Sequence, residues 1–183
     1  MSDRFSLQGK NILITGASSG LGKQCAIACS ELGAKVILIG RNEDRLKSVY
    51  SNLKGTGHFF VKMDITEYSE IETVIDDLVS KMGKISGFIH SAGVDMTKPL
   101  RVLKPADYET SYAVNVISGY EFAKVISKKK YSDDGTSLVF ISSIMSLLGQ
   151  PGKIAYCSSK SALISGVKAM ALELSVRRFR VNS

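Results

Sequence analysis

Three residues near the carboxyl end of the sequence have the types and spacing that suit proton transfer. Tyr156 and Lys160 are four residues apart, so on a helix they share one face, with the ammonium group close to the phenol. A neighbouring cation favours the phenolate form of a tyrosine, which lets a phenol act as an acid or a base near neutral pH. Ser143 precedes this pair, and a tight loop would bring its hydroxyl to the same substrate oxygen.

A glycine-rich turn near the amino end is suited to binding a dinucleotide. The apolar run 11–15 predicts a buried strand, and it leads into a turn and the start of a helix. Glycines allow a tight turn, close approach of a pyrophosphate to the backbone, and close packing of helix on strand. The spacing is a variant of the commoner Gly-x-Gly-x-x-Gly pattern, and a purely structural loop is the alternative. The turn consists of Gly16, Ala17, Ser18, Ser19, Gly20, Leu21 and Gly22.

These residues need a scaffold, and the chain alternates apolar runs with amphipathic segments. The runs that predict strands lie at 36–39, 59–61, 88–89 and 138–141. Helical spacing of apolar residues predicts helices over 71–82 and 163–174. Strands and helices in alternation indicate an α/β protein with a doubly wound parallel sheet. The ligand crevice of such a sheet lies at the carboxyl ends of its strands, where Asp64, Gly93 and Ser143 fall.

The helix after the glycine turn has an apolar side that we expect to face the core. That side carries Leu21, Cys25, Ala28, Cys29 and Leu32. Cys25 and Cys29 are therefore interpreted as reduced packing residues of a cytoplasmic protein. For Cys157, beside Tyr156, an inert helix thiol and a redox-sensitive thiol are both open.

Together these motifs resemble those of the short-chain dehydrogenase/reductase family, and the resemblance covers nearly the whole chain. The glycine turn is similar to the family's cofactor turn, and Asp64 to its residue near the adenine. The segment Ser91-Ala92-Gly93 is similar to the family's Asn-Ala-Gly element, with serine in place of asparagine. The residues that match the family's catalytic tetrad are Asn115, Ser143, Tyr156 and Lys160.

The resemblance implies one Rossmann domain over residues 1–183 and an enzyme that moves a hydride between a nicotinamide and a carbonyl or secondary alcohol. It further implies that Lys160 holds the nicotinamide ribose and that Asn115 orders a water in a proton relay. A 3-oxoacyl thioester is one substrate, sugars, polyols and steroid alcohols are others, and a non-catalytic binding module is the alternative. The implied cofactor contacts are Gly16, Ser18, Ser19, Gly20, Leu21, Gly22, Arg41, Asp64, Ile65, Ala92, Gly93, Tyr156 and Lys160.

The residues after the second predicted strand bear on the choice of cofactor. NAD-selective sites place a carboxylate there for the ribose 2′-hydroxyl, and that carboxylate would repel a 2′-phosphate. Here the sequence has Gly40 followed by Arg41, whose planar guanidinium suits phosphate. We therefore expect NADP(H) to be favoured, with use of NAD(H) as the alternative.

Similar proteins of the family continue beyond the segment 180–183, which resembles the start of their sixth strand. They add further strands, a Pro-Gly element at the nicotinamide and a lid over the substrate. We expect the protein to possess such a tail, and a fragment with an open site is the alternative. The resemblance also implies a homo-tetramer or a homo-dimer.

The formal charge of +7 does not predict nucleic-acid binding, because the basic residues are scattered. The run 128–130 falls near a helix end, where cations suit the helix dipole. A docking site for an acidic acyl carrier protein, formed by this run with Arg177 and Arg178, is the alternative, supported by the resemblance to carrier-dependent reductases.

Other features of the sequence bear on the cellular location of the protein and on whether it binds a metal. No apolar stretch approaches the roughly 18 residues of a membrane span, and the first residues carry no secretion signal, so we expect a cytoplasmic protein. His58 and His90 lie in separate segments without a cysteine or acidic cluster, so no metal site is predicted.

Overall fold

The sheet is the frame of the molecule, and its order places the glycine turn at the centre. The computed structural model describes residues 5–183, so most of the segment on which the missing secretion signal was judged lies outside the described residues. All strand pairs are parallel, in the order β3-β2-β1-β4-β5-β6. The strands are β1 (Asn11–Thr15), β2 (Lys35–Gly40), β3 (Phe59–Lys62), β4 (Ile85–His90), β5 (Ser132–Phe140) and β6 (Arg180–Asn182).

Within residues 5–183, six α-helices connect and flank the strands. They are α1 (Gly20–Glu31), α2 (Glu43–Tyr50), α3 (Tyr68–Met82), α4 (Pro105–Tyr112), α5 (Ser118–Ile126) and α6 (Ile154–Glu173). Local signals explain their starts, since Asn42 caps α2 by accepting from the Arg45 N–H at 2.9 Å, and Pro105 opens α4. A π-helical turn, Ala113–Ile117, joins α4 to α5, and 3₁₀ turns lie at Leu100–Val102, Ile144–Ser146 and Leu174–Arg177.

Two apolar clusters pack on the opposite faces of the sheet. Successive residues of a strand point to opposite sides, so Leu13 of β1 joins one cluster while Ile12 and Ile14 join the other. The predicted helix faces on α3 and α6 both pack against the first of these clusters. The predicted doubly wound parallel sheet is therefore confirmed.

The expectation for α1 is wrong in its details. The residues that α1 buries fully are Gly22, Ala26 and Ser30, whereas the Leu21 side chain is 64% exposed. Cys25 and Cys29 are half-buried and pack on the edge of the core. The small residues of α1 face β1 because they permit a closer approach of helix to strand than leucine would.

The basic run after α5 is largely engaged in ion pairs within the chain. Lys128 lies 2.7 Å from Glu72 and Lys130 contacts Asp76, both on α3. Arg177 bonds Asp134 at 2.9 Å and two backbone carbonyl groups as well. These contacts link the run to α3, although the Lys128 and Lys130 side chains remain 45% and 64% exposed.

Residues 5–183 contain no group of three or more His, Cys, Asp or Glu side chains that could hold a metal ion. No helix in that range is both long and apolar enough to cross a membrane.

Candidate active site

A cleft of about 670 Å³ lies at the carboxyl ends of the central strands, as the sheet topology predicts. It collects residues from every crossover on that edge of the sheet. The predicted contacts that line it are Gly16, Ser18, Ser19, Gly20, Leu21, Arg41, Asp64, Ile65, Ala92, Gly93, Tyr156 and Lys160. One continuous wall therefore joins the glycine turn to the Tyr156–Lys160 pair.

Backbone packing in the glycine turn leaves no room for a side chain at Gly16 or Gly22. A Cβ atom on Gly16 would lie 2.6 Å from the Ala92 nitrogen, and its φ of +67° is one that other residues rarely adopt. A Cβ atom on Gly22, which does not line the cleft, would lie 2.3 Å from the Gly16 carbonyl oxygen. Gly22 therefore does not contact a ligand in the cleft directly, and its role is to let α1 pack closely against the turn.

The start of α1 fits a pyrophosphate. Its first turn has no acidic residue, and the side chain of the N-cap residue Ser19 makes no capping hydrogen bond. The first N–H groups of the helix are therefore left for another acceptor, and the helix dipole favours an anion there. The turn and the helix end together form a cradle that the phosphates of a dinucleotide fit.

The end of the cleft beside β2 holds two arginines and a carboxylate. The Arg41 guanidinium lies 3.9 Å from Asp64, and Arg41 is 71% exposed. Hydrogen bonds from the backbone and hydroxyl of Thr66 hold the pKa of Asp64 below its usual value, and the charge of Arg41 contributes less. Gly40 stands where NAD-selective sites have an acid, but the Asp64 carboxylate lies near Arg41. Arg45, which the sequence interpretation missed, supplies a second cation to the same wall.

Tyr156 and Lys160 lie on one face of α6 at the other end of the cleft. The Lys160 Nζ atom is 6.0 Å from the centre of the Tyr156 ring and donates a hydrogen bond to the Ile141 carbonyl at 2.7 Å. Lys160 is almost fully buried, and this burial lowers the pKa of its ammonium group. The predicted spacing thus places the cation beside the phenol.

Asn115 is buried behind the cleft, inside the π-helical turn. Its side chain accepts from the Val94 N–H at 2.7 Å and donates to the Val94 carbonyl and the Ser159 hydroxyl. A Cβ atom on Gly93 would lie 3.4 Å from Asn115 Oδ1 and 3.5 Å from Lys160 Nζ. Asn115 therefore ties the segment after β4 to α6, directly behind Lys160. π-Helical turns are frequent at functional sites.

Ser143 is placed differently from the other predicted residues. Its hydroxyl accepts from the Met145 N–H at 3.2 Å at the start of a 3₁₀ turn, and it does not line the cleft. Ser142 does line the cleft, and its hydroxyl bonds the Lys160 carbonyl at 3.4 Å. Both serines follow β5, and Ser143 is the predicted one because it matches the family's catalytic tetrad.

His90 is fully buried next to this network. Its Nδ1 bonds the Thr15 hydroxyl at 2.9 Å, while Nε2 has no hydrogen-bond partner. Burial, together with the charge of Lys160, lowers the pKa of His90 to about 4, although backbone groups of Val114 and Asn115 offset part of the effect. The imidazole is therefore neutral in the folded protein near pH 7.

Several other wall residues were not predicted as contacts. They lie beside predicted positions on the same loops, so the topology of the sheet was the signal that could have found them. They are Gly40, Asn42, Arg45, Met63, Ser91, Val94, Asp95, Val114, Ile141 and Ser142.

The fold and the cleft define a nicotinamide dinucleotide-dependent oxidoreductase, and comparison with known proteins agrees. The model of the short chain dehydrogenase family matches residues 10–183, and the chain belongs to that family. The family binds a nicotinamide dinucleotide, and its characterised relatives are dehydrogenases and reductases.

Individual relatives show how far the similarity extends. The 7α-hydroxysteroid dehydrogenase of Escherichia coli (strain K12) is 31% identical over 99% of this chain and 71% of its own length. The 3-oxoacyl-[acyl-carrier-protein] reductase of Rickettsia prowazekii (strain Madrid E) is 31% identical over 98% of this chain and 72% of its own. A solved 7α-hydroxysteroid dehydrogenase, complexed with NADH and 7-oxo glycochenodeoxycholic acid, superposes with a TM-score of 0.93 at 30% identity, covering 100% of this chain and 72% of the other.

Proposed function

We propose that this protein is a carbonyl reductase or alcohol dehydrogenase in which Tyr156 is the general acid or base. The observation that carries this proposal is the shared cleft, which places the Tyr156–Lys160 pair on the same wall as the glycine cradle. When bound, the nicotinamide supplies or accepts the hydride. Residues 1–183 belong to one dinucleotide-binding domain in this proposal.

The roles of the four polar residues follow from their positions. Tyr156 transfers the proton to or from the substrate oxygen, and the Lys160 ammonium beside it stabilises negative charge on the phenol. Lys160 also binds the nicotinamide ribose, since it lines the same wall. Asn115 fixes the segment behind Lys160 and orders a water for the proton relay. Ser143 polarises the substrate carbonyl by donating its hydroxyl hydrogen, which the bond accepted from the Met145 N–H leaves available.

Preference for NADP(H) over NAD(H) is also part of the proposal. Arg41 and Arg45 provide two guanidinium groups on the wall beside β2, and these suit a 2′-phosphate. The Asp64 carboxylate near Arg41 works in the opposite direction, because it repels phosphate. The two cations outweigh the single carboxylate, and we expect a preference of modest size.

Exchange of Tyr156 tests the proposed chemistry. Tyr156→Phe removes the proton donor and keeps the ring, so turnover should fall by about 100-fold or more while dinucleotide affinity stays near that of the wild type. Turnover is followed as NADPH or NADH absorbance against a panel of ketones and aldehydes. Tyr50→Phe is the matched control, because Tyr50 lies on α2 and packs on His58 and Phe60 away from the cleft. Near-normal turnover in Tyr156→Phe would refute the assigned role.

The substrate class and the partners are further proposals. A 3-oxoacyl thioester on an acyl carrier protein is supported by the similarity to carrier-dependent reductases. The ion pairs of Lys128, Lys130 and Arg177 oppose docking on that surface. Comparing turnover of acetoacetyl thioesters with and without the carrier protein decides this point. A cytoplasmic location and a homo-dimer or homo-tetramer complete the proposal, to be tested by fractionation and by light scattering.

A further inference from the structure

A second charged pair borders the cleft close to Tyr156. The Lys153 Nζ atom lies 2.5 Å from Asp95 Oδ1, joining the segment after β4 to the residue that precedes α6. The Lys153 side chain is only 14% exposed, whereas that of Asp95 is 55% exposed and lines the cleft. The pair is thus partly buried on one side and open to a ligand on the other.

The position of this pair relative to Tyr156 is the key observation. Lys153 Nζ lies 5.9 Å from the centre of the Tyr156 ring, and Lys160 Nζ lies 6.0 Å from the same centre. Tyr156 and Asp95 are both part of the cleft wall. Lys153 itself does not line the cleft, but it is as near to the Tyr156 ring as Lys160 is, so a substrate bonded to Tyr156 would lie next to the Asp95–Lys153 pair.

Backbone contacts hold the pair in place. The Lys98 N–H donates to the Gly152 carbonyl at 2.7 Å, which fastens the segment after β4 to the residue before Lys153. Gly152 has a φ of +79°, so the turn that presents Lys153 requires glycine. Lys98 is anchored in turn by Asp107 at 2.8 Å. The pair is preorganised before any ligand arrives, which is what a selective binding group requires.

The chemistry of the pair selects among substrates. An apolar chain lying against it would remove water from two charges without offering a hydrogen bond, which is unfavourable. A substrate carboxylate would be repelled by Asp95. A hydroxyl group can donate to the carboxylate and accept from the ammonium at the same time. Resting on the carbonyl chemistry proposed above, we propose that the Asp95–Lys153 pair binds a hydroxyl group on the carbon next to the reacting carbonyl.

The substrate class that follows is an α-hydroxy ketone for reduction and a vicinal diol for oxidation. In oxidation the reacting carbon loses a hydride to the nicotinamide and its hydroxyl loses a proton through Tyr156, while the neighbouring hydroxyl stays bound to the pair. The opposing expectation is an apolar substrate, for which the exposed Ile144, Leu147 and Leu148 after Ser143 would be the contacts.

Two ketones that differ by one hydroxyl group test this inference. The ratio of kcat/KM for acetoin to that for butanone should be about 10 to 100 with either cofactor, the range expected of one hydrogen bond to a charged group. Asp95→Ala and Lys153→Met should each lower the ratio below about 3. Asp77→Asn is the control, because Asp77 is about as exposed as Asp95 and is paired with Lys81 at 2.7 Å, but lies on α3, outside the cleft. This control should keep the wild-type ratio.

The outcomes separate this inference from the proposed function. Equal kcat/KM for the two ketones, or a ratio that survives both substitutions, would overturn the role of the pair while leaving carbonyl chemistry intact. Absence of turnover with every compound and cofactor would refute the proposed function instead. In that case saturation-transfer NMR with acetoin and butanone still decides, since a stronger acetoin signal that both substitutions remove supports the pair and equal signals overturn it. Thermal melting shows that each variant is folded.

Discussion

The two ends of the cleft are built from different parts of the polypeptide. At the dinucleotide end the constraints are set by the main chain, where Gly16 and Gly22 leave less than 3 Å for any added Cβ atom. At the substrate end they are set by side chains, including the Asp95–Lys153 pair and the Asn115 hydrogen bonds. Gly16 and Gly22 at the first end tolerate no side chain, whereas the side chains of the Asp95–Lys153 pair can be changed without such a clash.

This difference shows how one scaffold can keep a cofactor and vary its substrate. A backbone cradle recognises groups common to all dinucleotides, and side chains recognise what distinguishes one substrate from another. The arginines beside β2 are an exception, because in the proposed function these side chains of the dinucleotide end bind the 2′-phosphate of the ribose. Three variants test the contrast, from the largest expected effect to the smallest.

Gly22→Ala should destabilise the protein, although alanine is usually favoured over glycine in a helix. The added Cβ would lie 2.3 Å from the Gly16 carbonyl oxygen, and we expect a loss of about 3 kcal/mol or more in the free energy of unfolding. Urea unfolding measures the loss, and dinucleotide affinity should fall with it. Gly149→Ala, which has open space around its Cβ, is the control and should be near neutral. A Gly22→Ala protein as stable as the wild type would show that the backbone of the turn can move to accommodate the added Cβ atom.

His90 gives a pH-dependent test at the junction of the two ends. Its folded pKa of about 4 lies below the ordinary value of 6.5, so the unfolded chain binds the extra proton between these pH values. Stability from this residue is complete above pH 6.5 and is lost as pH falls toward 4, by about 3 kcal/mol at about 1.4 kcal/mol per pH unit.

His90→Gln should lack this part of the decline, as measured by urea unfolding at several pH values. His58→Gln, in which His90 is intact, should retain it and serves as the control. A decline of unchanged size in His90→Gln would mean that other groups cause it.

Arg41→Ala should have the smallest effect, because the guanidinium is exposed and shared with Asp64. We expect NADPH affinity to fall about tenfold and NADH affinity to change much less, as hydrogen bonds to charged groups contribute modestly at exposed positions. Fluorescence titration of both cofactors measures this. Lys47→Ala, a cation paired with Glu43 on α2 outside the cleft, is the control. Equal losses for both cofactors would show that Arg41 does not bind the 2′-phosphate.

The contrast between the ends also explains what the sequence could predict. The glycine turn follows from a local pattern because few residue types satisfy its backbone positions, and the alternation of strands and helices follows from the spacing of apolar residues. The Asp95–Lys153 pair joins residues 58 positions apart, and nothing local marks either partner. Leu21 was wrongly predicted to face the core. Helical periodicity shows which residues share a face, but it does not show that the face with small residues packs closest to the sheet. The ion pairs of the basic run could not be predicted either, because their acidic partners on α3 are also far away in the sequence.

The π-helical turn at Ala113–Ile117 gives the site a dependence on helix register. A π turn holds one residue more than an α turn, and that surplus residue rotates everything after it by roughly 100° relative to a continuous α-helix. Deleting a single residue there would let α4 and α5 fuse into one regular helix. The Asn115 side chain would then point away from Val94. The Val94 N–H and carbonyl would lose their hydrogen bonds to the Asn115 amide. The alignment of Asn115 with α6 is thus encoded by the number of residues in the turn as much as by their types.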